Sequence, residues 1–279
     1  MTTNDWTLLD GATESDRCAL NVAGGQLLAF CRRAPDKTTE NEDAVAIVPY
    51  GDDAAVLVVA DGAGGMPGGR RASQLAVSQL AESLGASLVD AVMMRTAVLN
   101  GIEAANSAVL EMGTGAATTL TVVAIEGRSA RTYQIGDSEA LIVGNRGLIR
   151  AQTMAHSPTG FAVEAGFLDQ RDALHHEERH LVSNFLGTAD MRIDMGAAVD
   201  MQQRDTVLLA SDGVTDNVHR HEVIELIRKG PLDVAIDSLI RLATHRMTAD
   251  STKQPSKPDD LSVILFRKPA AKVAERPAE

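Results

Sequence analysis

Apolar residues along this chain fall into short runs that stop at glycine, proline or acidic residues. Runs of this kind, bounded by turn residues, are typical of buried β-strands. The tetrapeptide Tyr50-Gly51-Asp52-Asp53 would form a hairpin turn between two of them. The predicted strands are residues 44–48, 56–61, 118–125, 129–134, 140–143, 148–150, 206–210 and 261–266.

Other stretches show the 3.6-residue spacing of helices. Residues 71–88 and 90–111 form one predicted pair of helices, and residues 221–228 and 233–247 form another. Residues 161–180 are rich in charge and predict a helical excursion on the surface. Because strands come in runs and helices come in pairs, we expect antiparallel sheets with helices packed outside them.

The same pattern predicts a single domain over residues 17–267. Residues 1–16 are polar and are expected to form a loose lead-in. Residues 268–279 are rich in proline, alanine and charge, which predicts a disordered tail.

Charge, cysteine count and the length of apolar runs argue against several classes of protein. The 279 residues carry a formal net charge of -12, so general affinity for nucleic acid or anionic lipid is not expected. Two cysteines, Cys18 and Cys31, are too few for a disulfide framework, and we expect free thiols in the cytoplasm. We expect neither a signal peptide nor a membrane span, because no apolar run approaches the ~20 residues a span needs.

Two of the predicted strands end alike, at Ala60-Asp61-Gly62 and at Ser211-Asp212-Gly213. Acidic residues flank other strands too, and the five segments are centred on Glu42, Asp61, Asp137, Asp212 and Asp259. Each segment taken singly could be a turn, a solvated charge or a cap. If the strand ends converge, however, the carboxylates would repel unless a cation lay between them. An all-oxygen site of this kind suits Mg²⁺ or Mn²⁺.

A glycine-rich stretch, residues 62–69, follows one of these strands and precedes a helix. Pro67 stands where a dinucleotide-binding loop needs its third glycine, and no Walker sequence is present. Glycines here would instead let the backbone approach a metal, with the Gly62 carbonyl as a candidate ligand.

The segments, in this order, resemble the metal-dependent protein phosphatases of the PP2C type (PPM family), in their bacterial form. The matching segments are Asn41-Glu42-Asp43-Ala44, Ala60-Asp61-Gly62-Ala63-Gly64-Gly65, Gly69-Arg70-Arg71-Ala72-Ser73, Thr118-Thr119-Leu120, Gly136-Asp137-Ser138, Asn184 to Gly187, Ser211-Asp212-Gly213 with Asp216-Asn217, and Asp259-Asp260-Leu261-Ser262-Val263. The resemblance implies an α+β fold, a four-layer α-β-β-α sandwich of two antiparallel sheets flanked by helix pairs. It also implies a mobile flap at about residues 156–187.

The resemblance also implies the site and its chemistry. A dinuclear Mn²⁺ or Mg²⁺ centre would activate water to hydrolyse phosphoserine and phosphothreonine in proteins phosphorylated by a serine/threonine kinase. No covalent phospho-enzyme is required, which suits a chain whose Cys31-Arg32-Arg33 lacks a phosphate loop. The implied roles are Asp61 bridging two metals, Glu42 and Gly62 on one metal, Asp212 and Asp259 on the other, Asp43 orienting water, and Asp137 with Asp212 at a third ion.

The chain departs from the family pattern at the residue that grips phosphate. Thr38 stands where an arginine is common, with Lys37 beside it. Lys37 and Arg33 are our candidates for substrate binding, although a lysine lacks the bidentate fork of arginine. Further candidates are Arg32, Arg70 and Arg71.

Histidine in the family's acid position is replaced by Ala63. Flap histidines could approach substrate or be ordinary solvated residues, and they are His156, His175, His176 and His180.

Two other functions stay open. The missing arginine fits a pseudophosphatase or regulatory module that binds phosphoproteins without turnover. A small phosphorylated metabolite is another possible substrate.

Overall fold

The structure is a computed structural model that describes residues 6–11, 15–63, 68–249 and 254–269. Its strands are β1 (Thr7–Leu9), β2 (Ser15–Val22), β3 (Gly25–Arg32), β4 (Asp43–Pro49), β5 (Ala54–Asp61), β6 (Leu120–Glu126), β7 (Ser129–Ile135), β8 (Glu139–Val143), β9 (Ile149–Gln152), β10 (Asp194–Met195), β11 (Val199–Asp200), β12 (Thr206–Ala210) and β13 (Leu261–Arg267). Its helices are α1 (Gly69–Val89), α2 (Met94–Glu111), α3 (Pro158–Glu164), α4 (Gln170–Ala173), α5 (Asp212–Thr215), α6 (Arg220–Ile227) and α7 (Leu232–Thr248), with a 3-10 turn at Glu177–His180.

The strands form two antiparallel sheets. The first has the order β1-β4-β5-β6-β7, with β10 and β11 both pairing with β7. The second has the order β2-β3-β13-β12-β8-β9. Consecutive strands such as β4 and β5 are joined by short turns, as the spacing of glycines predicts.

The sheets lie face to face and helices cover both outer faces. Alternation along β5 explains how: Val56 and Val58 face the α1–α2 pair, whereas Leu57 and Val59 face the second sheet. Helices α5, α6 and α7 pack on the outside of the second sheet. Because central strands are buried on both faces, they are almost wholly apolar. The predicted α-β-β-α sandwich is confirmed.

The chain's beginning differs from our expectation. Thr7–Leu9 lies within the predicted loose lead-in, yet it forms an edge strand paired with β4. Strands β2 and β3 also escaped the sequence pattern. In β2 the exposed and half-buried residues alternate, because it is an edge strand, so it shows no apolar run. Residues 270–279, most of the predicted tail, lie outside the described residues.

This topology brings the acidic strand ends together. β4 begins, and β5 ends, at the cross-strand pair Asp43 and Asp61. In the second sheet, the end of β12 meets the start of β13, where Ser211 N donates to Ser262 O at 3.1 Å. Both sheets therefore present carboxylates at the same end of the sandwich.

Candidate metal centre

Asp43 and Asp61 supply the carboxylates of the first sheet. Asp43 is fully buried. Two threonines directly before β6 hold the backbone of Asp61. Thr119 Oγ1 accepts from Asp61 N at 3.0 Å, while Thr119 N and Thr118 Oγ1 each donate to Asp61 O at 2.8 Å. The Asp61 side chain is therefore presented from rigid backbone.

Ser211 connects the two sheets. Its hydroxyl donates to Asp43 Oδ2 at 2.8 Å and accepts from Ser262 N at 2.9 Å. The next residue, Asp212, opens the short helix α5. A serine before this Asp-Gly pair thus holds the carboxylates of both sheets in register, a role that the sequence pattern alone did not suggest.

A second group of acids surrounds Asp212. Asp137 follows β7 across the turn at Gly136, and the charges of Asp212 and Asp216 act on its carboxyl group. Asp216 was not among our predicted site residues. The spacing of four residues places Asp212 and Asp216 on the same face of a helical turn, and this signal could have identified Asp216.

The electrostatics of these acids reflect burial and mutual repulsion. Burial first, and then neighbouring carboxylates, raise the pKa of Asp43 and Asp61 well above the usual range. The same causes raise the pKa of Asp137 to about 8. Burial and Asp212 raise the pKa of Asp216 and of Asp259 to about 6 each. Such a cluster favours a bound cation, because a cation would lower the cost of ionising every member.

Three buried carboxylate oxygens accept no hydrogen bond from any group in the described part of the chain, and they are Asp43 Oδ1, Asp212 Oδ1 and Asp216 Oδ2. Of these, Asp216 Oδ2 lies 3.0 Å from the ammonium of Lys257. Buried polar atoms seldom lack a hydrogen-bond partner. Together with an all-oxygen donor set, these orphaned oxygens fit a hard divalent cation.

Two lysines reach into the cluster. Lys37 Nζ lies 2.8 Å from Glu42 Oε2 and 2.6 Å from Asp260 Oδ2. Lys257 Nζ contacts Asp212, Asp216 and Asp259. Among the described residues, no three His, Cys, Asp or Glu side chains form a ready-made metal cage.

The two predicted substrate-binding residues, Lys37 and Arg33, differ in their interaction partners. Lys37 is engaged by Glu42 and by the buried Asp260, so two of its three donors are already in use. Arg33 is half-buried and makes no hydrogen bond or ion pair within the ranges described above. Arg70 pairs with Glu40 and Asp10, and Arg32 donates to Thr244 Oγ1 at 3.0 Å.

Gly62 is required by close packing. Its N–H donates to Glu42 O at 3.1 Å, and a Cβ here would lie 2.3 Å from Gly69 O. No other residue can therefore bring the backbone so near to Glu42 and Asp61. The rest of the predicted glycine loop, residues 64–67, lies outside the described residues.

The flap forms one wall of a cavity beside the cluster. The cavity has a volume of about 420 Å³ and is lined by Asp137, Asp212 and Asp216 on one side and by α3, α4 and Arg179 on the other. Arg179 also donates to Ser256 O at 2.9 Å, which ties the flap to the segment before β13.

The four flap histidines divide into two kinds. His156 is buried, and its Nδ1 lies 3.2 Å from Gly136 N and 2.8 Å from Asn184 Nδ2. The other three, His175, His176 and His180, are exposed, as ordinary solvated residues would be.

The comparison with protein families decides the identity. The model of the family "Protein phosphatase 2C" matches residues 33–250. The chain belongs to the protein phosphatase 2C family. The resemblance that the acidic segments suggested is thereby confirmed, as is the prediction of an enzyme that dephosphorylates serine and threonine in proteins.

Relatives of this phosphatase agree. The protein phosphatase PhpP of Streptococcus pneumoniae is 28% identical over 222 residues, covering 75% of this chain and 87% of PhpP. A crystal structure of a bacterial serine phosphatase superposes with a TM-score of 0.74 at 25% identity, covering 88% of this chain and 99% of that one.

The catalytic domain of the serine/threonine protein phosphatase PstP, solved with two manganese ions, superposes with a TM-score of 0.63 at 24% identity. It covers 94% of this chain and 99% of that domain. In the part of this phosphatase that the structure describes, no helix has the length and apolar character needed to cross a membrane.

Proposed function

We propose that this phosphatase hydrolyses phosphoserine and phosphothreonine in proteins at a dinuclear divalent metal centre held by the carboxylates at the end of the sandwich. Asp61 would contact both ions, with Glu42 and the Gly62 carbonyl on one side and Asp212 and Asp259 on the other. Mn²⁺ and Mg²⁺ both suit these oxygen ligands. The manganese pair of PstP supports the proposal.

The observation that carries the proposal is the buried, mutually repelling set of carboxylates with oxygens that lack partners. When bound, divalent ions lower the pKa of a shared water and neutralise phosphate oxygens. Asp43 would orient water, since its Oδ2 accepts from Ser211 while its Oδ1 accepts no hydrogen bond from the described residues. Cys31 is fully buried and does not line the cavity, so water, and not this thiol, would be the nucleophile.

Asp137 and Asp212 would hold a third ion more weakly, with Asp216 as an additional acid beside them. Arg33 is our candidate for gripping the substrate phosphate, since Lys37 is engaged by Asp260. Because this phosphatase removes phosphate from proteins, we expect its substrates to come from a serine/threonine kinase. The two unpaired cysteines favour action in the cytoplasm.

Hydrolysis of p-nitrophenyl phosphate and of a phosphothreonine peptide, titrated with Mn²⁺, tests the proposal. We expect activity to need the metal, and Asp61→Asn and Asp212→Asn each to lower kcat at least about a hundredfold, as loss of a catalytic group does. Asp200→Asn, a surface acid paired with Arg128, is the matched control and should leave the rate unchanged. Full activity in EDTA would disprove the metal centre.

The pseudophosphatase alternative is not favoured. Every predicted acidic position is present, and Asp61 and Asp212 lie on rigid backbone at the edges of the two sheets. Turnover of a phosphopeptide by the wild-type protein would exclude the alternative, while tight phosphopeptide binding without turnover would restore it.

A further inference from the structure

Lys257 places a positive charge at the position proposed for the second metal ion, beside Asp212 and Asp259. Its Nζ is 3.0 Å from Asp216 Oδ2 and 3.1 Å from Asp259 Oδ2, and it also contacts Asp212 Oδ2. Asp212 and Asp259 are the two carboxylates proposed to hold one of the ions. The ammonium and that ion therefore depend on the same oxygens.

The position of Lys257 is built into the fold. The side-chain amide of Asn217, which is fully buried, accepts from Lys257 N at 2.8 Å and donates to Lys257 O at 2.8 Å. The same amide donates to Gly213 O at 2.9 Å, next to Asp212. Pro258 follows and favours an extended backbone at Lys257. The lysine is thus aimed at Asp212 by a fixed backbone and not by a flexible loop.

Lys37, the other lysine of the cluster, differs in its partners. It contacts Glu42, a proposed ligand, but also Asp260, whose side chain is only 3% exposed and lies outside the proposed ligand set. Lys37 therefore keeps a buried counter-ion whether or not a metal is bound. All three partners of Lys257 are acids of the cluster, and two of them are proposed ligands.

We propose that Lys257 is an internal competitor for the divalent cation at Asp212 and Asp259. The inference rests on the proposed metal centre. A divalent ion at these oxygens must displace the ammonium, because two cations in contact with the same carboxylates repel each other. Asp216 stays available as a partner for the displaced ammonium, because the four methylene groups of the lysine side chain let the ammonium move.

The two metal sides then differ in affinity. The side formed by Glu42, Asp61 and Gly62 fills first. The side formed by Asp212 and Asp259 fills only at higher Mn²⁺ concentration, because binding there must break charge-assisted contacts of Lys257. Occupancy of the second side, and with it activity, would follow the supply of divalent metal.

Calorimetric titration of the metal-free protein with Mn²⁺ tests this inference without any measurement of activity. We expect wild type to bind a tight ion at the side of Glu42, a weak ion at the side of Asp212 and Asp259, and the proposed third ion more weakly still. In Lys257→Met, which keeps the length and removes the charge, the weak ion should bind about 10- to 100-fold more tightly, the range expected for one or two lost charged hydrogen bonds. Lys257→Arg should keep the weak site.

Lys268→Met is the matched control, because Lys268 pairs with Asp53 outside the cluster and its loss should leave both affinities unchanged. Lys257→Gln serves as a second neutral variant, and thermal unfolding in EDTA and in Mn²⁺ checks folding. Both neutral variants should be less stable than wild type in EDTA and should gain more from Mn²⁺.

The outcomes separate this inference from the proposed function. If wild type binds two ions and both neutral variants bind them with unchanged affinity, the proposed competition by Lys257 is refuted and the proposed metal centre is retained. If no form binds Mn²⁺, both proposals fail. If neither neutral variant folds even with Mn²⁺, Lys257 is an irreplaceable structural cation and the competition is again refuted.

Discussion

Replacing Asp260 by alanine should destabilise this phosphatase strongly, although the neighbouring Asp259 should be dispensable for folding. The Asp260 side chain is 3% exposed and accepts three hydrogen bonds. They come from Ala34 N at 2.7 Å, Glu42 N at 2.7 Å and Lys37 Nζ at 2.6 Å. Asp260→Ala therefore leaves two backbone donors without an acceptor and removes one of the two carboxylates that pair with the Lys37 ammonium.

The size of the effect follows from these contacts. Removing one partner of a buried ion pair typically costs about 3–5 kcal/mol, and we expect a loss of that size in the free energy of unfolding. Asp260→Asn keeps the shape and one acceptor oxygen, so we expect a loss of about 1.5–3 kcal/mol, the usual value of a hydrogen bond to a charged group.

Asp259→Asn is the matched control. Its side chain is 32% exposed, and burial and Asp212 raise its pKa to about 6, so its charge is a burden to the metal-free fold at pH 8. Neutralising it should therefore not destabilise the metal-free protein, and we expect the free energy of unfolding to stay the same or to rise.

Urea unfolding at pH 8 in EDTA, followed by circular dichroism, measures each variant. A double-mutant cycle of Asp260→Asn with Lys37→Met isolates the ion pair, and the two changes together should cost less than their sum. A loss of less than about 1 kcal/mol in Asp260→Ala, or an Asp259→Asn variant as damaged as Asp260→Ala, would show that Asp260 is not the buried acceptor that stabilises this part of the fold.

Three further predictions concern pH and thiol chemistry. Because the pKa values of Asp43, Asp61 and Asp137 are raised in the fold, the metal-free protein should gain stability as pH falls from 8 toward 5, and Mn²⁺ should stabilise it most at pH 8 in melting curves. Burial lowers the pKa of His156, whose Nδ1 accepts from Gly136 N–H, so the stability advantage of wild type over His156→Gln should shrink below about pH 6.5. Cys31 is fully buried with a raised pKa, so alkylating reagents applied to the folded enzyme should leave kcat unchanged.

One result would contradict each of these three predictions. A melting temperature that climbs steadily with pH in EDTA would contradict the raised pKa values of the acids. An advantage of wild type over His156→Gln that grows in acid would mean that the ring is held as a cation. Rapid loss of activity on alkylation, with labelling of Cys31, would show that this thiol is reachable and used.

Much of the fold was predictable because its central strands are buried on both faces. Strand β12 has the bounds predicted for it, and β4, β5 and β13 differ only at their ends, since runs of valine and leucine between turn residues have few other structures available. Strand β2 was missed because an edge strand needs no apolar run, and β1 was missed because three residues carry too little pattern.

The site was only partly predictable. Carboxylates next to apolar strands are visible in sequence, so Asp61 and Asp212 stood out. The link through Ser211 depends on how two sheets stack, which no local pattern encodes. The four-residue spacing from Asp212 could have identified Asp216, whereas Lys257 reaches these acids only because α5 meets the segment before β13. Lys37 was predicted from its place near Thr38, and its engagement by Asp260 depends on a residue 223 positions away.

The most direct test of the account is anomalous diffraction from crystals of this phosphatase grown with Mn²⁺. The account predicts two manganese peaks that share the Asp61 carboxylate, one beside Glu42 and Gly62 and one beside Asp212 and Asp259, with Lys257 Nζ moved away from Asp212. Crystals that bind no manganese at Asp61, from a protein that still hydrolyses phosphopeptide, would contradict it.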